Sequence, residues 1–160
     1  MLKVKTRVQL RKSDRKKLLD DFEKRFKGLE SLEESRLESI TADGIPVLLV
    51  NGKPFFFQES DVWFPTVKGV LEYGIDRYVV VVDTGAVRFV VNGADIMSPG
   101  IVSADPDVSG GDLVIIKEEG HNQPLAIGKA LVGASEMIAD SGKAIKSIHY
   151  VGDSLWNLEI

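Results

Sequence analysis

Arg11, Lys12, Arg15, Lys16 and Lys17 place five cations within seven consecutive positions, a density that could meet the phosphates of a nucleic acid. The surrounding charge is skewed in the same sense. Residues 1 to 27 hold eleven Lys and Arg against four Asp and Glu, a net of +7. The other 133 hold nine against twenty, a net of −11, so the chain as a whole carries −4. An anion-binding arm on an acidic body would give this asymmetry, and so would a solvated helix face; charge alone leaves both open.

Other chemistries find little support. With no cysteine, disulfides, thiolate metal sites and cysteine nucleophiles are excluded. His121 and His149 are too few for a histidine-rich zinc site. There is no GxSxG, Ser98 stands before a proline, and no carboxylate spacing singles out an acid and a base. Gly128-Lys129 lacks the upstream glycine of a P-loop, and no dinucleotide fingerprint is present. Asp105, Asp107, Ser109 and Gly110 match the start of a calcium loop, but Ile116 stands where the bidentate glutamate belongs and Pro106 interrupts the ligand run. The expectation is a binding protein with no cofactor, no metal and no catalytic residue.

The elements that would position a binding surface come from composition and periodicity. The chain has 160 residues, 44% apolar and 28% charged, enough for one domain or two small ones. No apolar run approaches a bilayer span and the N-terminus lacks a signal-peptide core, so no membrane association and a cytoplasmic location are expected. Lys3 to Leu10 alternates as a half-buried strand would, with Val4, Val8 and Leu10 inward. Ser13 is a candidate N-cap for a helix with Leu18, Leu19, Phe22, Phe26 and Leu29 on one face and Gly28 near its end. Lys and Arg in its first turn oppose the helix macrodipole, which favours a local purpose for them. Ser31 to Ser39 resists assignment.

Asp43-Gly44 and Asn51-Gly52 flank PVLLV and predict tight hairpins in a small antiparallel meander. Phe55, Phe56 and Phe57 read as core rather than as a stacking platform. Pro65 is expected to open a short helix bearing Val67, Val70 and Leu71, and Gly74 to mark a domain boundary. Val79 to Val82 predicts a strand buried on both faces. Asp83 or Thr84 would cap the next segment, where signals conflict: Ala86, Phe89, Val90 and Gly93 have helical spacing, while AVRFVV has strand composition. Asn92-Gly93 and Pro99-Gly100 favour a short helix. Asp112 to Lys117 and Pro124 to Val132 predict strands, Ser135 a helix cap, and Ile145 to Val151 with Leu155 to Leu158 a hairpin turned at Gly152-Asp153.

GAVRFVVNGADIMSPGI, followed by GDLVIIKEE, PLAIGKAL and IHYVGDSLWNL, resembles the PUA domain, named after pseudouridine synthases and archaeosine transglycosylases. VNGKPFFFQ and WFPTVKGVLEY resemble the N-terminal domain of the malignant T-cell-amplified sequence proteins, relatives of the initiation factor ligatin, and of their short archaeal counterparts. The resemblance covers nearly the whole chain and is weakest over residues 1 to 40. It implies an α+β protein, with a small N-terminal α/β domain over residues 1–73 and a C-terminal PUA pseudobarrel of mixed strands over 74–160.

It also implies RNA binding, through a face around Arg88, Gly93, Ala94, Asp95, Ile96, Met97, Ser98, Pro99 and Gly100. Residues 76 to 160 oppose that role electrostatically, with six Lys and Arg against twelve Asp and Glu. Arg11, Lys12, Arg15, Lys16 and Lys17 would then supply the missing charge. The expected function is a non-enzymatic, initiation factor-like RNA-binding protein of translation. Its partners would be tRNA or ribosomal RNA, the small ribosomal subunit or a translation factor, and not DNA. A protein-interaction adaptor and an RNA-modification accessory are the alternatives.

Overall fold

A computed structural model describes residues 2–160. The chain forms two compact units, one running from the N-terminus to Asp76 together with Asn157–Ile160, the other spanning Arg77–Trp156. Among the described residues no helix is long and apolar enough to cross a membrane.

The first unit is a five-stranded antiparallel sheet in sequence order: β1 (Val4–Gln9), β2 (Leu37–Ala42), β3 (Ile45–Val50), β4 (Lys53–Glu59) and β5 (Val62–Pro65). Helix α1 (Lys12–Arg25) lies between β1 and β2 in the chain, and α2 (Val67–Tyr73) follows β5. Both glycine turns form as expected: Asp43 (φ 47°) precedes Gly44 (φ 81°), and Asn51 (φ 51°) precedes Gly52 (φ 85°). Two successive positive φ values give the type I′ geometry that matches strand twist. The aromatic spacing also holds. Phe22 stacks on Phe56 at 4.7 Å between ring centroids, Phe26 meets Phe64 edge-on at 5.7 Å, and Phe55, Phe56 and Phe57 are all buried. Burying such rings is the largest favourable contribution available to so small a unit.

Several expectations here need correction. The six residues of β1 are exposed throughout, because β1 is an edge strand whose pairing with β2 shifts between Lys5 and Val8, where Thr6 takes φ 59°. Helix α1 starts one residue before Ser13: Arg11 is the N-cap, with no side-chain cap bond. Pro65 ends β5, where an edge strand tolerates a missing N–H, and Thr66 caps α2 by accepting from the Gly69 amide at 3.1 Å. Leu71 faces outward. The unassigned stretch holds a 3-10 helix, Glu30–Glu34, that buries Leu32 completely before β2 begins.

The second unit is a six-stranded pseudobarrel. Its strands are β6 (Val79–Val82), β7 (Ile96–Met97), β8 (Ile101–Ala104), β9 (Leu113–Glu118), β10 (Pro124–Ala130) and β11 (Lys143–Tyr150), in the order β7-β11-β10-β9-β6-β8. β6 runs parallel to β9 and every other pairing is antiparallel. Helices α3 (Val87–Val90) and α4 (Ala134–Met137) are single turns. The core gathers Val80, Val82, Val114, Ile116, Ala126 and Ile145. Close packing requires Gly128 in β10, where a Cβ would lie 2.3 Å from Cγ2 of Ile145.

In β6 only Val80 and Val82 are fully buried, so the strand has one covered face rather than two. The Asp105 carboxylate accepts from the amides of Tyr78 at 2.9 Å and Asp107 at 3.0 Å, so the calcium-like sequence is a self-bonded turn. Gly133, not Ser135, occupies the cap of α4. Leu155 to Leu158 forms no strand. Asp153 caps a turn there instead, accepting from the amides of Tyr150 (3.0 Å) and Trp156 (2.8 Å) while facing Nδ1 of buried His149 at 2.9 Å. Burial is the largest single influence on Asp153 and opposes its ionisation, but the hydrogen bond and charge of His149 together with the Trp156 and Tyr150 amides outweigh it and hold the carboxyl below its ordinary range.

Candidate nucleic-acid interface

The stretch from Asp83 to Gly100 is closed on itself by local bonds. The Asp83 carboxylate accepts from the Ala86 amide at 2.9 Å, capping a 3-10 turn, Thr84–Ala86, that runs directly into α3. Helical spacing therefore prevails over strand composition, since the cap satisfies an amide that would otherwise be left without a partner. At the far end Gly93 adopts φ +85°, and the Ala94 amide donates to the Phe89 carbonyl at 3.0 Å. A side chain at Gly93 would be strained by that φ and would approach the Tyr150 ring to 2.8 Å. The Asp83 amide then donates to the Gly100 carbonyl at 2.9 Å, bringing the two ends of the stretch together.

Between these ends lies a cavity of about 590 Å³ lined mainly by Ala86, Phe89, Ile96, Met97 and Pro99, with Asp83 and Asp95 as its acidic members. Phe89 is 54% exposed and Met97 49%, unusual fractions for large apolar side chains that neighbour one another. Alternation along Ile96 to Pro99 sorts the rest. Ile96 and Ser98 point inward and are buried, while Met97 and Pro99 face out. The guanidinium of Arg88 lies 4.8 Å from the centroid of the Phe89 ring. Asp95 accepts from the Ser147 amide at 2.8 Å and pairs with Lys143 at 3.0 Å. Those two contacts, the Ser147 amide first, hold its carboxyl below the ordinary aspartate range. The cavity thus has shape and apolar surface, and the lysine paired with its Asp95 is already neutralised.

Of the residues expected at this face, the structure gathers Ala94, Asp95, Ile96, Met97, Pro99 and Gly100 around the cavity. Arg88 and Gly93 flank it, and Ser98 turns away into the core. Phe89 is the residue that the sequence does not single out. Its spacing with Ala86, Val90 and Gly93 suggests a core position, yet Val90 alone of that helix turn is buried.

The second expected set, Arg11, Lys12, Arg15, Lys16 and Lys17, belongs to the first unit, at the start of α1. Its members differ. Arg15 is half-buried and donates to the carbonyls of Ser35 (2.9 Å), Leu32 (3.0 Å) and Glu33 (2.7 Å), so its guanidinium is a structural strut. Lys16 pairs with Asp20 at 3.1 Å on the exposed surface. Arg11, Lys12 and Lys17 are exposed, and their side chains make no hydrogen bond or ion pair among the described residues. Three unengaged cations within seven positions form the strongest concentration of available positive charge in that unit's first helix.

Two family models match separate parts of the chain. Residues 78–151 match the PUA domain, and residues 6–73 match a Domain of unknown function (DUF1947). An uncharacterized protein of Methanocaldococcus jannaschii is 38% identical over 99% of both chains. Translation machinery-associated protein 20 of Saccharomyces cerevisiae is 34% identical over 99% of this chain and 92% of its own. A hypothetical protein from Pyrococcus horikoshii superimposes with a TM-score of 0.85 at 33% identity, over 95% of this chain and 98% of that one.

Proposed function

The chain belongs to the PUA-domain family of translation machinery-associated protein 20 and the malignant T-cell-amplified sequence proteins, as a short archaeal-type member, and on that premise we propose that it is an RNA-binding protein of the translation machinery. The observation carrying this reading is the exposed apolar cavity between the Asp83 cap and the Gly93 turn, with Phe89 and Met97 at its surface. An unstacked base presents an apolar face and a polar edge. Phe89 and Met97 offer an exposed apolar surface for the face. Neutralising charge is scarce on this face, so phosphates are held by Arg11, Lys12 and Lys17 of the first unit.

The ligand is a structured cellular RNA, tRNA or ribosomal RNA, bound without chemical change. Ultraviolet crosslinking to total cellular RNA, followed by mapping of the crosslinked peptides, tests the reading. Crosslinks are expected on the peptides containing Phe89 and Met97 and on the peptide around Lys12 to Lys17. Crosslinks confined to other surfaces would overturn it.

A further inference from the structure

The second half of helix α1, which carries Asp20, Asp21 and Glu23 before Lys24 and Arg25 in its last turn, borders a second cleft. Leu19, Phe22, Phe26 and Leu29, the last three buried, line a cleft of about 280 Å³ together with Glu23, Glu30 and Glu33. Small-molecule pockets run from about 300 to 1,000 Å³, so this one suits a single large side chain better than a free ligand. All three rim carboxylates are exposed, and none has a hydrogen bond or ion-pair partner among the described residues. One wall is the 3-10 helix Glu30–Glu34, held by the three bonds from Arg15 and by the Ser35 hydroxyl donating to the Ser31 carbonyl at 2.9 Å. The cleft is therefore formed before anything enters it, which lowers the ordering penalty of binding.

We propose that this cleft docks a basic segment of a partner protein, seating one aliphatic or aromatic side chain against Leu19, Phe22, Phe26 and Leu29 while flanking lysines or arginines meet Glu23, Glu30 and Glu33. Charge decides the class of occupant. Three unpaired carboxylates repel a phosphate chain and attract a cationic one, so the RNA assigned to the opposite end of the same helix is excluded here. The proposal does not depend on RNA binding being correct. It makes the first unit two-ended, with one end for phosphates and the other for protein.

The test is a titration of the isotopically labelled full chain with a twelve-residue peptide carrying two leucines and a phenylalanine among lysines and arginines, followed by amide chemical shifts. A control peptide has the three apolar residues replaced by serine. Shifts are expected at residues 19–34, with the control binding at least about tenfold more weakly. The triple variant Glu23→Gln, Glu30→Gln, Glu33→Gln is expected to bind the first peptide about tenfold more weakly at low salt, as three rim pairs of modest strength imply. Circular dichroism checks its fold, and Glu30→Gln alone provides a milder second variant. Shifts centred elsewhere, equal binding of the serine peptide, or undiminished binding by both variants would each overturn the proposal. So would displacement of the peptide by an oligouridine that shifts the same amides.

Discussion

On the proposed reading, the glycine-bounded face of the second unit and the start of α1 in the first would contribute to holding RNA in opposite ways. The face from Asp83 to Gly100 has a cavity of about 590 Å³ and two exposed apolar side chains, but its lysine neighbour is paired with Asp95. The start of α1 has Arg11, Lys12 and Lys17 unengaged, and the cavity of about 440 Å³ beside it is lined by Lys17, Asp14 and Asp21 together with Leu18, Ile40 and Trp63. Affinity for a polyanion scales with the phosphates neutralised, whereas orientation and choice of base come from contoured surface. A face with apolar shape and little free charge can position a nucleic acid, and one with unengaged cations can hold it. The contrast predicts that mutations in the two regions will differ in kind as well as in size.

Removing the unengaged cations should have the largest effect. In the variant Arg11→Gln, Lys12→Gln, Lys17→Gln, affinity for RNA at low salt is expected to fall by about one to two orders of magnitude. The slope of log affinity against log salt should drop by about two, since each phosphate contact to a single strand contributes about 0.7. Arg15 is left intact because its three carbonyl bonds make it part of the fold. Equilibrium binding across a salt series measures both quantities. An unchanged slope would mean that the basic segment does not touch phosphates.

Phe89→Ala should produce the complementary result. Loss of a stacking surface is worth about 1–3 kcal/mol, and with the ring already half exposed an effect of about tenfold is expected. The salt slope should not move, because no charge is lost. If the slope falls with Phe89→Ala, then the displaced Arg88, whose guanidinium rests on that ring, was the real contact. Arg88→Gln would confirm this by reproducing the same fall.

Legibility of these regions in the sequence tracks how local their causes are. The Asp43-Gly44 and Asn51-Gly52 turns, the Asp83 cap and the Gly93 stop depend on residues within four positions of one another, and all form as expected. The Ser98 orientation and the Arg15 strut depend on partners far away in the chain: Ser98 donates its amide to the Gly142 carbonyl, and Arg15 reaches carbonyls seventeen to twenty residues on. Nothing local marks Arg15 as different from Lys16. β1 and the segment after Gly152 depart from expectation for the same reason. An edge position and a turn built on Asp153 are set by what lies beside them in space, which period-two alternation does not encode. Phe89 marks the limit of periodicity, since helical spacing specifies a shared face and says nothing about whether that face is covered.

The smallest expected effect comes from giving the cavity some of the charge it lacks. Asp95→Asn removes one negative charge from its rim and releases Lys143, while the amide oxygen of asparagine can still accept from the Ser147 N–H. RNA affinity should rise about twofold and the salt slope should steepen by less than one contact. Stability should fall by less than about 1 kcal/mol, as suits a partly exposed pair. That loss should also depend on pH. Asp95 is held below its ordinary pKa of 3.8 in the folded state, so its contribution is complete above that value and disappears as the pH falls through the lowered one. The variant and the parent should therefore converge in stability in acid and separate towards neutrality. If Asp95→Asn instead weakens RNA binding at neutral pH, the carboxylate is itself a contact, accepting from a base edge, and the face reads bases as well as shaping them.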